Sequence, residues 1–369
     1  MISFELSEEQ QMIRDTVGAF ARDEVRPAAR PADEQGTIPK ELVAKASELG
    51  LVRSAIPEQF GGDGDARSAV TGAVIAEELA YGDLSIALDV LAPRLFAFPL
   101  IEMGTPDQQK RYLPRLGRPE FVPASAAVME PQFDFDLNAM ATAAQHRNGG
   151  FVLDGAKCFV PLAMEAEAIL VFAASNPGAG LGGVDGFIVE RGAAGLTIGE
   201  REKNMGLKGL ATYELELKGC RLGPEARLGG ERGCNFTRLT SQWRVALAAM
   251  AVGVARASFD YARDYAKERK AFGVPIATKQ TIAFMLADMA IEIDASRLLV
   301  WEAAWHLDKG EDALQESYLA KNYAAAASLK IADNAVQVLG GHGYIREHPV
   351  EMWLRNARGF ATLEGLATV

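Results

Sequence analysis

The hydrophobic pattern of this chain changes twice along its 369 residues, and that double change constrains the fold more than any single motif. Residues 6–118 place apolar side chains at helical spacing, punctuated by helix start and stop signals. From about Phe121 to Gly230 the spacing shortens to alternation broken by turn residues, and from Phe236 onward long helical patterns return. The expected class is α+β: an N-terminal helical domain over 1–118, a middle β-barrel or β-sandwich domain over 119–230, and a C-terminal helical bundle over 231–369.

Within the first block, Ser7-Glu8-Glu9-Gln10 has the form of a capping box that opens a helix through Ala21, with Arg26-Pro27 ending it. Pro39 opens a second helix, stopped by Gly50. Ser68 to Tyr81 and Ser85 to Gly104 read as further helices. The latter is apolar nearly all round, as a core helix or the lining of an apolar cavity is. In the middle block, strands are legible over 151–160, 168–173, 186–190, 196–198 and 213–217. The run Gly178 to Gly183 has dinucleotide-fingerprint spacing, but a turn and a strand follow it, so a hairpin loop is expected. The last block holds helices from Trp243 to Lys267, Thr281 to Lys309 and Asp312 to Leu339. Gly340-Gly341-His342-Gly343 breaks the third before a final segment, Val350 to Arg358.

A net charge of −11 argues against a nucleic-acid surface, which needs a clustered basic excess. Three scattered cysteines suit a reducing compartment, and the four histidines show no zinc-ligand spacing with them. The first ten residues lack secretory and transit character, and no uncharged run approaches a membrane span. A cytoplasmic, or cytosol-like, location is expected.

Two stretches carry candidate chemistry. Arg355 to Val369 holds one carboxylate, Glu364, between Leu363 and Gly365. It is either a solvated residue on a fraying tail or a base held in an apolar cavity. Lys267-Glu268-Arg269-Lys270 is either a solvated helix end complementing the dipole or, through Arg269, a pyrophosphate clamp.

Over nearly its whole length, and in order, the chain resembles the acyl-CoA dehydrogenases. The resemblance is carried by Leu6 to Val17, by Ile56-Pro57-Glu58 with Gly61-Gly62, and by Glu77-Glu78-Leu79-Ala80. It is strongest over Glu268-Arg269-Lys270-Ala271-Phe272-Gly273, Gln280 and Gln337 to Tyr344. It implies a C-terminal four-helix bundle with oligomer contacts, FAD as cofactor, an acyl-CoA substrate of fatty-acid metabolism, and an electron-transferring flavoprotein as acceptor. Glu364 before Gly365 falls at the family's base. Arg244 matches an arginine near the substrate, and Trp243 stands where some relatives place their base. The resemblance assigns Arg269 and Phe272 to the flavin from one chain and Gln337, Gly340 and Gly341 from its neighbour, with Gln280 also on the cofactor. A dimer or tetramer follows from that sharing.

The departures from the family cluster on the β-domain side of the flavin. Met129-Glu130-Pro131-Gln132-Phe133-Asp134-Phe135-Asp136 stands in place of a small, hydroxyl-bearing loop, with Met129 replacing a threonine on the isoalloxazine ring. Phe159-Val160-Pro161-Leu162 keeps the aromatic at Phe159 but puts proline where a threonine touches the flavin. Three arrangements accommodate this: a divergent homomeric enzyme, one subunit of a heteromeric dehydrogenase, or a non-redox scaffold. Leu95, Phe96 and Phe98 are expected to face the acyl tail, and with Trp243 they point to short or unusual acyl groups.

Overall fold

In the computed structural model, which describes residues 5–369, seven helices are followed by a seven-stranded sheet and then by the long helices of the C-terminal block. The first helix, α1 (Glu8–Phe20), opens on the expected capping box, in which Ser7 and Gln10 bond each other's backbone N–H. It does not stop at Arg26-Pro27. A π-helical turn at Ala21–Val25 passes the chain into α2 (Arg26–Gln35), which carries Pro27 in its first turn. Next come α3 (Lys40–Glu48) and α4 (Ala69–Gly82). The stretch read as one apolar helix is two, α5 (Leu84–Leu91) and α6 (Arg94–Met103), broken at Pro93. Leu84–Met103 and Phe236–Glu268 are long and apolar enough to cross a membrane, but both carry charged residues and their apolar stretches are mostly buried inside the protein. Helix α7 (Pro106–Leu116) closes the block.

The sheet contains β1 (Ser125–Ala127), β2 (Ala143–Arg147), β3 (Gly150–Pro161), β4 (Ala168–Ala174), β5 (Val184–Glu190), β6 (Leu196–Arg201) and β7 (Thr212–Leu222). Its order is β1-β4-β2-β3-β7-β6, with β5 pairing β4, and the Gly178–Gly183 run lies in the β4–β5 hairpin as expected. Strands β1 and β2 escaped the sequence reading; each is short, and β1 is a run of small residues with no alternation. The long β3–β7 ladder slips register between Lys157 and Val160. That bulge lies beside the candidate site, where bulges commonly re-aim side chains.

Helix α8 (Phe236–Glu268) is the spine of the last block. A small hairpin, β8 (Lys270–Ala271) and β9 (Val274–Pro275), leads to α9 (Gln280–Asp308) and α10 (Leu314–Leu339). The short α11 (Gly341–Tyr344) and α12 (Val350–Ala357) follow. One apolar core runs from α4 and α5 through α8 to α10 and α12, so the two helical blocks share an interior. The remainder of the chain after Ala361 has no regular structure and returns between the β domain and the helices, ending with Val369 buried.

Candidate active site

The irregular C-terminal segment presents Glu364 to a cavity of about 480 Å³ between the β domain and the helical block. Burial of Leu363 and Leu366 fixes the segment on either side of Glu364. Gly365 adopts φ +66°, and a side chain there would collide with Val128, so the turn after the carboxylate needs glycine. The tail residue of the bland reading is therefore held in the interior.

Two cations from two different helices meet this carboxylate. Lys321 Nζ of α10 donates to Glu364 Oε1 at 3.1 Å, and Arg244 Nε of α8 lies 3.7 Å from the same oxygen. Oε2 is buried with no hydrogen-bond partner. The backbone N–H of Glu364 donates to the sulfur of Met129 at 3.4 Å. The Arg244 guanidinium lies over the ring of Tyr318.

The opposite wall is built from the loop after β1 and the bulge in β3. Lys157 is fully buried, and its ammonium donates to Glu130 Oε1 and to the carbonyl of Val128, each at 2.9 Å. Glu130 also accepts from the backbone N–H groups of Ala141 and Thr142 and from the Gln132 amide. Burial alone would push the Glu130 carboxyl up; Lys157 and these donors outweigh it and hold the group down to about 2. The network pins a loop that carries Met129, Phe133, Phe135 and Asp136 onto the cavity. In the bulge, Phe159 takes φ +53° and its N–H is tied to the Glu202 carboxylate. A bulky residue persists in that strained conformation only where its surroundings enforce it. Phe133, Phe135 and Phe159 thus bring three aromatic side chains to the cavity, alongside Met129, Pro131 and Leu137.

The other predicted residues lie elsewhere. Trp243 does not line the cavity; it is fully buried in an aromatic cluster with Phe172 and Phe236, because one residue's step around α8 turns it about 100° from Arg244. Leu95, Phe96 and Phe98 are buried and do not line the Glu364 cavity: Phe96 packs edge-on against Tyr112 at a separate pocket, and Phe98 lies beneath Arg67 at another. Arg269, Phe272, Gln280, Gln337, Gly340 and Gly341 gather at the far end of the bundle, all exposed. Tyr265, one turn before Arg269, bonds His342 beside Gly341 at 2.8 Å, so a single chain brings these residues to the same end. Phe272 and Gly273 both take positive φ in the β8–β9 turn, which leaves the Phe272 ring 96% exposed. From Arg244 to Arg269 the uninterrupted α8 spans about 37 Å at 1.5 Å per residue.

The sequence reading missed Lys321. It falls on the buried stripe of α10 with Ser317, Ala324 and Ser328, and a lysine on such a stripe was the available signal.

The same three-part architecture recurs in known proteins. Residues 7–120, 125–220 and 236–369 match the N-terminal, middle and C-terminal domains of acyl-CoA dehydrogenases. The chain belongs to the acyl-CoA dehydrogenase family. An acyl-CoA dehydrogenase of Bacillus subtilis is 35% identical over 366 residues, covering 98% of this chain and 95% of the relative. Butyryl-CoA dehydrogenase of Megasphaera elsdenii superposes with a TM-score of 0.88 at 30% identity, covering 100% of this chain and 96% of that one. The FAD complex of PigA superposes with a TM-score of 0.88 at 27% identity, over 97% and 94% of the two chains. As in that family, this dehydrogenase combines an N-terminal helical domain, a β half-barrel and a C-terminal helical domain.

Proposed function

We propose that this acyl-CoA dehydrogenase oxidises its acyl-CoA at the α,β bond, with Glu364 as the base, in a site completed by a second chain. The observation that carries the reading is the buried carboxylate itself. One oxygen is held by two cations, the other is buried without a hydrogen-bond partner, and the residue lines a cavity shared with Phe133, Phe135 and Phe159.

FAD is the cofactor and supplies the hydride acceptor that no side chain can provide. The wall of Met129, Phe135 and Phe159 suits the faces of its flat ring. The remaining roles fall to the chain's own groups. Oε2 of Glu364 takes the α-proton, while Lys321 and Arg244 retain Oε1. The N–H of Glu364 donates to the thioester carbonyl once the Met129 sulfur gives way, which makes the α-carbon more acidic.

Arg269, Phe272, Gln280, Gln337, Gly340 and Gly341 hold the adenine and pyrophosphate end of a neighbouring chain's FAD, since about 37 Å exceeds the reach of one extended cofactor. The glycines let backbone N–H groups approach phosphate closely. Phe284, Ile291 and Leu298 recur every seventh residue on the exposed side of α9, between 46% and 67% exposed, and form a seam for that neighbour. A homodimer or homotetramer results. The loss of the small, hydroxyl-bearing loop from the cavity wall favours a second arrangement, a heteromer with a sister dehydrogenase. A homomer purifies yellow on its own, whereas a heteromer subunit purifies colourless until its sister is added. The resemblance supports an electron-transferring flavoprotein as acceptor and a role in fatty-acid metabolism. Anaerobic titration with acyl-CoAs tests the reaction: a substrate bleaches the flavin of the wild type, and failure of every acyl-CoA to do so, with or without a sister chain, refutes it.

A further inference from the structure

Glu364 has an unusual mechanical problem for a base. It stands on a stretch with neither helix nor strand, from Thr362 to Val369, so no backbone ladder fixes its direction. The buried neighbours Leu363 and Leu366 anchor the segment but do not constrain rotation of the carboxylate. Lys321 can. Its side chain is 7% exposed, it rises from the interior face of α10, and its ammonium reaches Glu364 Oε1 at 3.1 Å. Burying a lysine is costly unless a partner compensates, and the Glu364 carboxylate is the partner this ammonium has. Arg244 is set farther off at 3.7 Å and stacks over Tyr318, so it supplies charge more than direction.

We infer that Lys321 is a positioning residue for the dehydrogenation, tethering Oε1 so that Oε2 is the oxygen offered to the substrate. The role rests on the reading of Glu364 as the base. The tether ties the irregular tail to α10, one of the long helices of the bundle, and leaves Oε2 as the carboxylate oxygen with no hydrogen-bond partner. Because Lys321 acts through Glu364, it matters only while Glu364 is a carboxylate.

The test uses the full chain with its FAD, as wild type, Lys321→Met and Lys321→Arg. Amide hydrogen exchange across 362–369 reads the tether without any turnover. The rate of flavin reduction by acyl-CoA, and its isotope effect with deuterium at the α-carbon, read the aim of the base. In Lys321→Met, tail exchange rises about tenfold, and flavin reduction falls about a hundredfold with a larger isotope effect, the loss expected of a misplaced catalytic group. Half-saturation by acyl-CoA changes little, and Lys321→Arg recovers most of both losses. Adding Lys321→Met to Glu364→Gln costs nothing further, because the two act as one unit. Wild-type tail exchange or wild-type flavin reduction in Lys321→Met overturns the inference, as does an equal loss in the Glu364→Gln background. If no acyl-CoA reduces the wild-type flavin, the dehydrogenase reading fails, and the exchange measurement still decides whether the tether exists.

Discussion

The sulfur of Met129 lies 3.4 Å from the backbone nitrogen of Glu364, so a weak thioether acceptor occupies the donor that the thioester carbonyl is to use. Restoring a hydroxyl at this place, Met129→Thr, shortens the side chain and gives the cavity wall a hydrogen-bonding group. One added hydrogen bond contributes about 1 kcal/mol, roughly a fivefold gain in FAD retention. The fluorescence of flavin released on dilution measures it. Unchanged or faster release contradicts the placement of Met129 against the ring.

A second expectation concerns pH and lies away from the chemistry. Asp89 is buried on α5, and burial, reinforced by Glu165, raises its carboxyl from the ordinary 3.8 to about 7. The folded chain therefore favours the protonated form. The penalty is complete above about pH 7, at most about 4 kcal/mol, and fades as pH falls toward the unfolded value. Asp83, pushed up to about 6 chiefly by burial, acts in the same direction. Thermal unfolding shows Tm rising as pH drops from about 8 to about 5, and Asp89→Asn flattens that rise while stabilising the chain at the alkaline end. A Tm that falls over this window contradicts the assignment.

The heptad-spaced Phe284, Ile291 and Leu298 make the assembly breakable at one point. Ile291→Glu puts a charge into the seam, and sedimentation velocity then shows a smaller species that has lost most of its FAD. A variant that keeps both its size and its flavin removes α9 from the interface.

Division of the flavin site between chains has a genetic signature. Arg269→Glu and Glu364→Gln are each expected to abolish activity alone. Mixed oligomers of the two rebuild one intact site from wild-type Glu364 of one chain and wild-type Arg269 of the other. Random mixing in a dimer yields about a quarter of wild-type activity. No recovery places both residues on the same flavin within one chain.

Much of this was legible from residues alone because local rules and the fold agree. The capping box at Ser7, the helix stop at Gly50 and the β4–β5 hairpin all follow from short-range chemistry. The misses arise where distance in space decides. Pro27 sits in a first helical turn only because a π-turn feeds it. The β1 strand carries no alternation and pairs in parallel with β4, more than forty residues on by the register Ser125↔Ile169. In the site, Glu364 and Arg244 could be named from motif. Lys321 could not be paired with Glu364, because nothing in α10 says which irregular segment crosses it. Trp243 was misplaced for the converse reason, since adjacency to Arg244 in sequence puts it on another face of the helix.

The most direct test of the central claim is the rate at which acyl-CoA bleaches the visible flavin band in Glu364→Gln under anaerobic conditions. The amide keeps the shape of Glu364 but cannot take a proton. The account predicts a yellow, folded protein whose flavin is reduced at least about a thousandfold more slowly than wild type, within the range a general base contributes. Bleaching at the wild-type rate would show that another group removes the α-proton.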